Sequence, residues 1–179
     1  MKLFRSFAAL LVALLALMIV MPLAAHESRN SPDGQYQYVF GWRTEPALTG
    51  VSNGPEFYIY ELVNGERGER VEGAELQVEV MFGGASVNLP LNQAFRDPGH
   101  YVANLIPTLP GDYTFRVYGT LGDLEIDETF TSADGGFNSV EPAQDIQFPE
   151  PFPNLFALQA QILELQERIA ELEAQINGQ

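Results

Sequence analysis

The 179-residue chain sets 24 acidic side chains against 9 basic ones, for a net charge of −15, and contains no cysteine. The missing cysteines exclude a disulfide framework and a lipid anchor on Cys. The acidic surface repels phosphate backbones and anionic lipid, which argues against nucleic acid and acidic membranes as partners.

Taken in order, the chain opens as a secretory leader. Lys2 and Arg5 form a positive start, residues 8–20 an unbroken apolar core, and Leu23-Ala24-Ala25 a small-residue cleavage site. Cleavage after Ala25 makes His26 the mature N-terminus. The rival reading is an uncleaved anchor, since residues 7–25 are just long enough to span a bilayer. Pro22 and the Ala-Ala pair favour cleavage, hence an exported protein, periplasmic or extracellular. Losing Lys2 and Arg5 takes the charge from −15 to −17 and leaves arginine as the only strongly basic residue type. Residues 26–33 read as a mobile N-terminal segment, and residues 34–132 as one β domain.

Within that domain, residues 35–43 alternate: Tyr36, Tyr38, Phe40 and Trp42 on one face, Gln35, Gln37, Val39 and Gly41 on the other. An aromatic row of this kind is core more often than a sugar platform. Residues 56–62 predict a second strand. Leu76, Val78, Val80 and Phe82 alternate against Glu75, Gln77, Glu79 and Met81, giving one dry and one wet face. Gly83-Gly84 turns the chain into residues 86–91, where Val87, Leu89 and Leu91 are expected to face inward.

The clearest stretch runs from residue 97 to 119. Asp97-Pro98-Gly99-His100-Tyr101 and Pro110-Gly111-Asp112-Tyr113 each place a Pro-Gly turn before a tyrosine that opens an alternating run. Tyr101, Ala103 and Leu105 share one face; Tyr113, Phe115 and Val117 share another. The pair reads as two antiparallel strands joined by residues 106–110, with the prolines outside the ladder. Asp97-Pro98-Gly99-His100-Tyr101 also resembles the Asp-x-Gly-x-Tyr of a tyrosine corner. A last strand spans residues 123–131, interrupted at Glu128. These elements predict an all-β, antiparallel, immunoglobulin-like sandwich of about seven strands. Residues 133–153, rich in proline and glycine, read as a linker lying partly along the domain through Phe137 and Phe148.

From residue 154 the period changes. Leu155, Leu158, Ile162, Leu165, Ile169, Leu172 and Ile176 are spaced three and four apart, the a and d positions of a coiled-coil helix over 154–177, with Asn154 as N-cap and Gly178 as stop. The narrow seam favours self-association over docking on the chain's own domain. Ile at a with Leu at d leans toward a dimer. Arg168 and Glu173 fit g and e of an Arg-h-x-x-h-Glu pattern (h apolar) that resembles short parallel trimers. A homo-oligomer, dimer or trimer, is the expected partner.

Candidates for chemistry are few. The chain has no Gly-x-Ser-x-Gly, phosphate-binding glycine loop or His-Glu-x-x-His, so it reads as no enzyme. Asp123, Glu125 and Asp127 share a strand face and suit calcium, but a charge row that blunts a sheet edge explains them better. The sharper candidate is His26. As a mature N-terminus its α-amine and imidazole chelate one copper ion together, with Asp97 or His100 completing the site, since such nitrogens suit Cu(II).

Residues 64–117, about a third of the chain, resemble YtkA-like domains, small secreted immunoglobulin-type modules. The family's Gly-x-Pro-Val-x-Gly-Ala stands here as Gly68-Glu69-Arg70-Val71-Glu72-Gly73-Ala74, with Arg70 in the proline's place. Its Gly-x-Tyr-x-Ala is Gly99-His100-Tyr101-Val102-Ala103, and its closing Gly-x-aromatic is Gly111-Asp112-Tyr113. The resemblance implies an accessory role among envelope and copper-handling proteins, alongside CopC-like carriers, and transfers no residue set. The methionine-rich segments of CopC-like proteins are missing: past the leader only Met81 remains. The leading expectation is therefore an exported, non-catalytic binding or scaffold module that oligomerises through its C-terminal helix. The alternative is a copper-binding accessory protein using His26.

Overall fold

The computed structural model describes residues 25–149 and 155–177. The expected leader, Asn154 and Gly178 lie outside the described residues, Ala25 excepted. Two compact units divide the chain, one ending at Pro142 and the other beginning at Ala143.

The first unit is antiparallel β. Its strands are β1 (His26–Asn30), β2 (Tyr36–Trp42), β3 (Pro55–Val63), β4 (Glu66–Arg70), β5 (Ala74–Phe82), β6 (Ala85–Gln93), β7 (His100–Val102), β8 (Thr114–Leu121) and β9 (Leu124–Thr131). They form one nine-stranded sheet in the order β1-β2-β3-β7-β6-β5-β8-β9, with β4 paired to β3. That count exceeds the seven strands expected, and the sheet curls almost into a barrel. Phe40 of β2 stacks on Phe130 of β9 at 4.6 Å and meets Phe115 of β8 at 5.1 Å, so the two halves of the sheet face each other across one core. At the remaining gap Arg29 of β1 donates to the Thr129 carbonyl at 2.8 Å and lies 3.6 Å from Glu128. Glu128, which interrupts the apolar face of β9, is thus used at the seam between the two edge strands.

Alternation predicted the inward faces well. Tyr38, Phe40, Trp42, Val78, Val80, Tyr101, Tyr113, Phe115, Val117, Ile126 and Phe130 are all buried, and so are Phe57 and Ile59, for which no facing was assigned. Burying such side chains removes roughly 25 cal/mol per Å² of apolar surface from water, the main source of the unit's stability. Gly83 and Gly84 both take positive φ, as a two-residue hairpin between β5 and β6 requires.

The structure corrects four expectations. The two tyrosine-led runs do not form a hairpin: β7 pairs with β3 and β6, whereas β8 pairs with β5 and β9. Period two assigns a residue to a face but does not choose the neighbouring strand. Val87 is 46% exposed, because only the Leu91 end of β6 reaches the core. Residues 26–33, expected to be mobile, instead supply β1, which pairs with β2 from His26↔Gly41 to Asn30↔Gln37. Finally, the start of the expected linker belongs to the domain: Phe137 and Val140 are core residues and Val140 bridges to Gly111, while Phe148 is exposed.

Among its described residues the second unit contains a short 3-10 turn, Ala143–Ile146, and one α-helix, α1 (Leu155–Asn177), the latter as the heptad pattern predicted. Its described side chains from Leu158 onward along the seam are exposed, including Ile162, Leu165, Ile169, Leu172 and Ile176. Among the described residues no helix is long and apolar enough to cross a membrane.

Candidate functional site

The site lies on the outer face of the wall formed by β1, β2, β3 and β7. One row across that wall runs His26, Gly41, Glu56, since His26 pairs with Gly41 and Gly41 with Glu56. Phe40 and Phe57 point into the core, so their neighbours Gly41 and Glu56 point out. The next row pairs Tyr58 with His100. Gly41 makes the arrangement workable: a Cβ there would stand 2.6 Å from His26 Cδ2, so only glycine lets the imidazole reach across β2.

Glu56 is the centre. Its Oε1 lies 2.6 Å from His26 Nε2 and its Oε2 lies 2.9 Å from His100 Nε2. The Tyr58 hydroxyl donates to Oε2 at 3.0 Å. His100 Nδ1 meets Asp97 Oδ2 at 2.9 Å, and Arg70 of β4 pairs with the other oxygen of Asp97. Tyr58 stacks on the His100 ring at 4.2 Å and carries the Arg70 guanidinium 4.7 Å from its own ring centre. Each group in this chain of contacts therefore has a partner on a different strand or turn.

The electrostatics follow from burial and pairing. Glu56 is 6% exposed. Burial pushes its carboxyl upward, but the hydrogen bonds from His26 and Tyr58 and the nearby imidazoles hold it below its ordinary value. The bond to Glu56 raises His26 above its usual 6.5, against the opposing effect of burial. Burial and the adjacent Glu56 carboxylate push the Tyr58 phenol up. The cluster is therefore a carboxylate clamped between two imidazoles.

Of the residues singled out in the sequence, His26, Asp97 and His100 come together here through Glu56. As placed, no three His, Asp or Glu side chains among the described residues are arranged to hold a metal ion, because the Glu56 carboxylate fills the space between the imidazoles. The donors are nonetheless of the right type. His26 uses Nε2 toward Glu56, leaving Nδ1, the nitrogen that closes a chelate with an α-amine. The calcium row is not assembled: Asp127 is taken up by a bidentate pair with Arg116 at 2.6 and 2.7 Å. Leu158, Ile162, Leu165, Ile169, Leu172 and Ile176 are placed together along α1.

Sequence reasoning missed Glu56, Tyr58 and Gly41. Glu56 and Tyr58 read as the polar positions of an ordinary strand, and Gly41 as a gap in an aromatic one. The available signal was that gap, since a glycine facing outward in a central strand marks a close approach. No family model matches the chain, and no curated protein matches it.

Proposed function

We propose that the protein is an exported, non-catalytic accessory module that binds Cu(II) at the His26 end of its β domain. The observation that carries this is the convergence of His26, Glu56, Asp97 and His100, from three strands and a turn, on one outer face. If the leader is cut after Ala25, the His26 α-amine joins Nδ1 of the same residue as a chelate, and His100 supplies a further nitrogen. For one ion to meet both Nδ1 of His26 and Nε2 of His100, the His26 ring would turn and Glu56 would leave its place between the rings, while Asp97 would orient His100 through Nδ1 as outer partners of metal-bound histidines do. A bound copper ion would supply a strongly held divalent centre; the residues supply its geometry. The all-β unit, the Tyr101 hydroxyl bonded to the backbone at Val71 and Ala74, and the YtkA-like motifs support an immunoglobulin-type reading of the fold.

The test is a Cu(II) titration of the mature protein followed by native mass and absorption. One tight ion is expected per chain, lost in His26→Ala and in a protein carrying one residue ahead of His26. Stoichiometric binding that survives both changes would sink the assignment.

A second reading joins the first. The seam of α1 is exposed from Leu158 to Ile176, which favours a second copy of the same helix as its cover, and Arg168 and Glu173 fit the g and e positions of such a pairing. Two or three linked domains gain avidity for a partner with repeated sites. Ile169→Glu should give a folded monomer by sedimentation equilibrium, while the parent associates with rising concentration. A parent that remains monomeric at high micromolar concentration ends this reading.

A further inference from the structure

Glu45 stands just beyond the end of β2, and both of its carboxylate oxygens are closed to solvent and accept no hydrogen bond of ordinary geometry. A carboxylate whose oxygens are closed to water, with only the poorly aligned Asn138 amides near them and no counter-charge, is costly, so such a group favours a cation beside it. The nearest arginine in sequence does not serve: Arg43 is directed to the Asn53 carbonyl and the Asn104 side chain, each at 3.0 Å. Asn138 amides draw the carboxyl down and Glu141 pushes it up, but burial dominates and raises it. Among the described residues, the cationic group that favours the Glu45 carboxylate is His26.

The register shows what else is close. Because β1 runs antiparallel to β2 from Asn30↔Gln37 to His26↔Gly41, stepping back toward the start of β1 leads to the far end of β2. The bond ahead of His26 therefore lies at the Gly41 end of β2, the end from which the chain runs on through Trp42 toward Glu45. The Ala25 carbonyl is already 2.7 Å from the place a Cβ at residue 41 would occupy, so this end of the chain is pressed onto β2.

We infer that Glu45 is the receptor for the α-ammonium group created at His26 when the leader is removed, so that the processed N-terminus is bound as a ligand of its own domain. Cleavage consumes one water; the new carboxylate leaves on Ala25 and the new amine stays on His26 as an ammonium ion. Before cleavage that nitrogen is a neutral amide and leaves Glu45 uncompensated. Afterwards it carries a positive charge at neutral pH, the ordinary α-amino value being about 8. The pair pins the first residue of β1 and with it the imidazole that crosses Gly41 to Glu56. This inference rests on the cleavage position in the proposed function and not on copper.

The test uses metal-free mature chain in chelator at pH 7, so that no metal competes for the amine. Three forms are melted: one beginning at His26, one extended by Gly-Ser-Gly, and one acetylated at His26. The free form should melt about 4 °C above both others, as an ion pair of about 1 kcal/mol predicts. Glu45→Gln should erase that gap. Equal melting of the three forms, or a gap that persists in Glu45→Gln, overturns the inference. The acetylated form leaves Glu45 untouched, so the reading holds even if Glu45→Gln fails to fold. An exported protein whose mass begins at any residue other than His26 also overturns it. Loss of copper binding with the gap intact would instead remove only the metal assignment.

Discussion

The two halves of the curled sheet carry carboxylates on their outer faces and use them in opposite ways. On β8 and β9, Arg116 and Asp127 make a bidentate pair with both side chains more than two-fifths exposed. On β1, β3 and β7, Glu56 sits under two imidazoles and a tyrosine with 8% of its side chain exposed. The contact distances are alike. The difference is water, which screens the first pair and leaves the second cluster to depend on its partners. Geometry alone would rank the Arg116–Asp127 pair first; burial reverses the order.

Three substitutions sharpen that contrast. The largest effect lies beneath both faces, where Phe115 is fully buried and touches Phe40, Trp42 and Phe137. Phe115→Ala should cost about 3–5 kcal/mol in urea unfolding. Parent-like unfolding would mean that the shared core does not lie where the alternation puts it. Next is Glu56→Ala, which leaves two imidazoles and a phenol without their acceptor and should cost about 2 kcal/mol near pH 6.

The cost of Glu56→Ala should vary with pH in a defined direction. His26 has a raised value, so its contribution is complete below its ordinary 6.5 and disappears as pH climbs through the raised one. Glu56 has a lowered value, so its contribution is complete above its ordinary 4.5 and disappears as pH falls through the lowered one. The gap between parent and Glu56→Ala is therefore widest between 4.5 and 6.5 and narrows on both sides. A gap that stays constant from pH 3 to 9 (about the accessible range) would show that the cluster contributes through packing alone. The smallest effect is that of Asp127→Asn, which should leave the melting temperature unchanged because its pair is open to solvent. A clear drop there would erase the distinction between the two faces.

How much of this was legible in the sequence depended on the range of the signal. Which face of each strand is buried is a local matter of period two, and Tyr38, Phe40, Val78, Phe115 and Phe130 were all placed correctly from it. Which strand lies beside which is set by contacts far apart in sequence. The supposed hairpin of the Tyr101 and Tyr113 runs failed for that reason, and β1 was overlooked because its residues, His26–Asn30, are polar and short of β-formers. The candidate site divides the same way. His26, Asp97 and His100 stood out by residue type, and their meeting point did not. Glu56 is 30 residues from one imidazole and 44 from the other, and nothing in a single sequence reports such a distance. The heptads of α1 needed no partner strand and were read directly.

The place of β1 in the chain also fixes an order of events in time. A ribosome delivers His26 before any residue it will touch, and chain emerges at roughly 5–20 residues per second. Glu56 follows 30 residues later, and His100 another 44 after that. The first strand of the sheet is consequently among the first segments made and among the last to have its neighbourhood completed. For some seconds on that scale, the residue that begins β1 has its imidazole and no enclosure. The cluster can close only after His100 has been made, once most of the β unit exists.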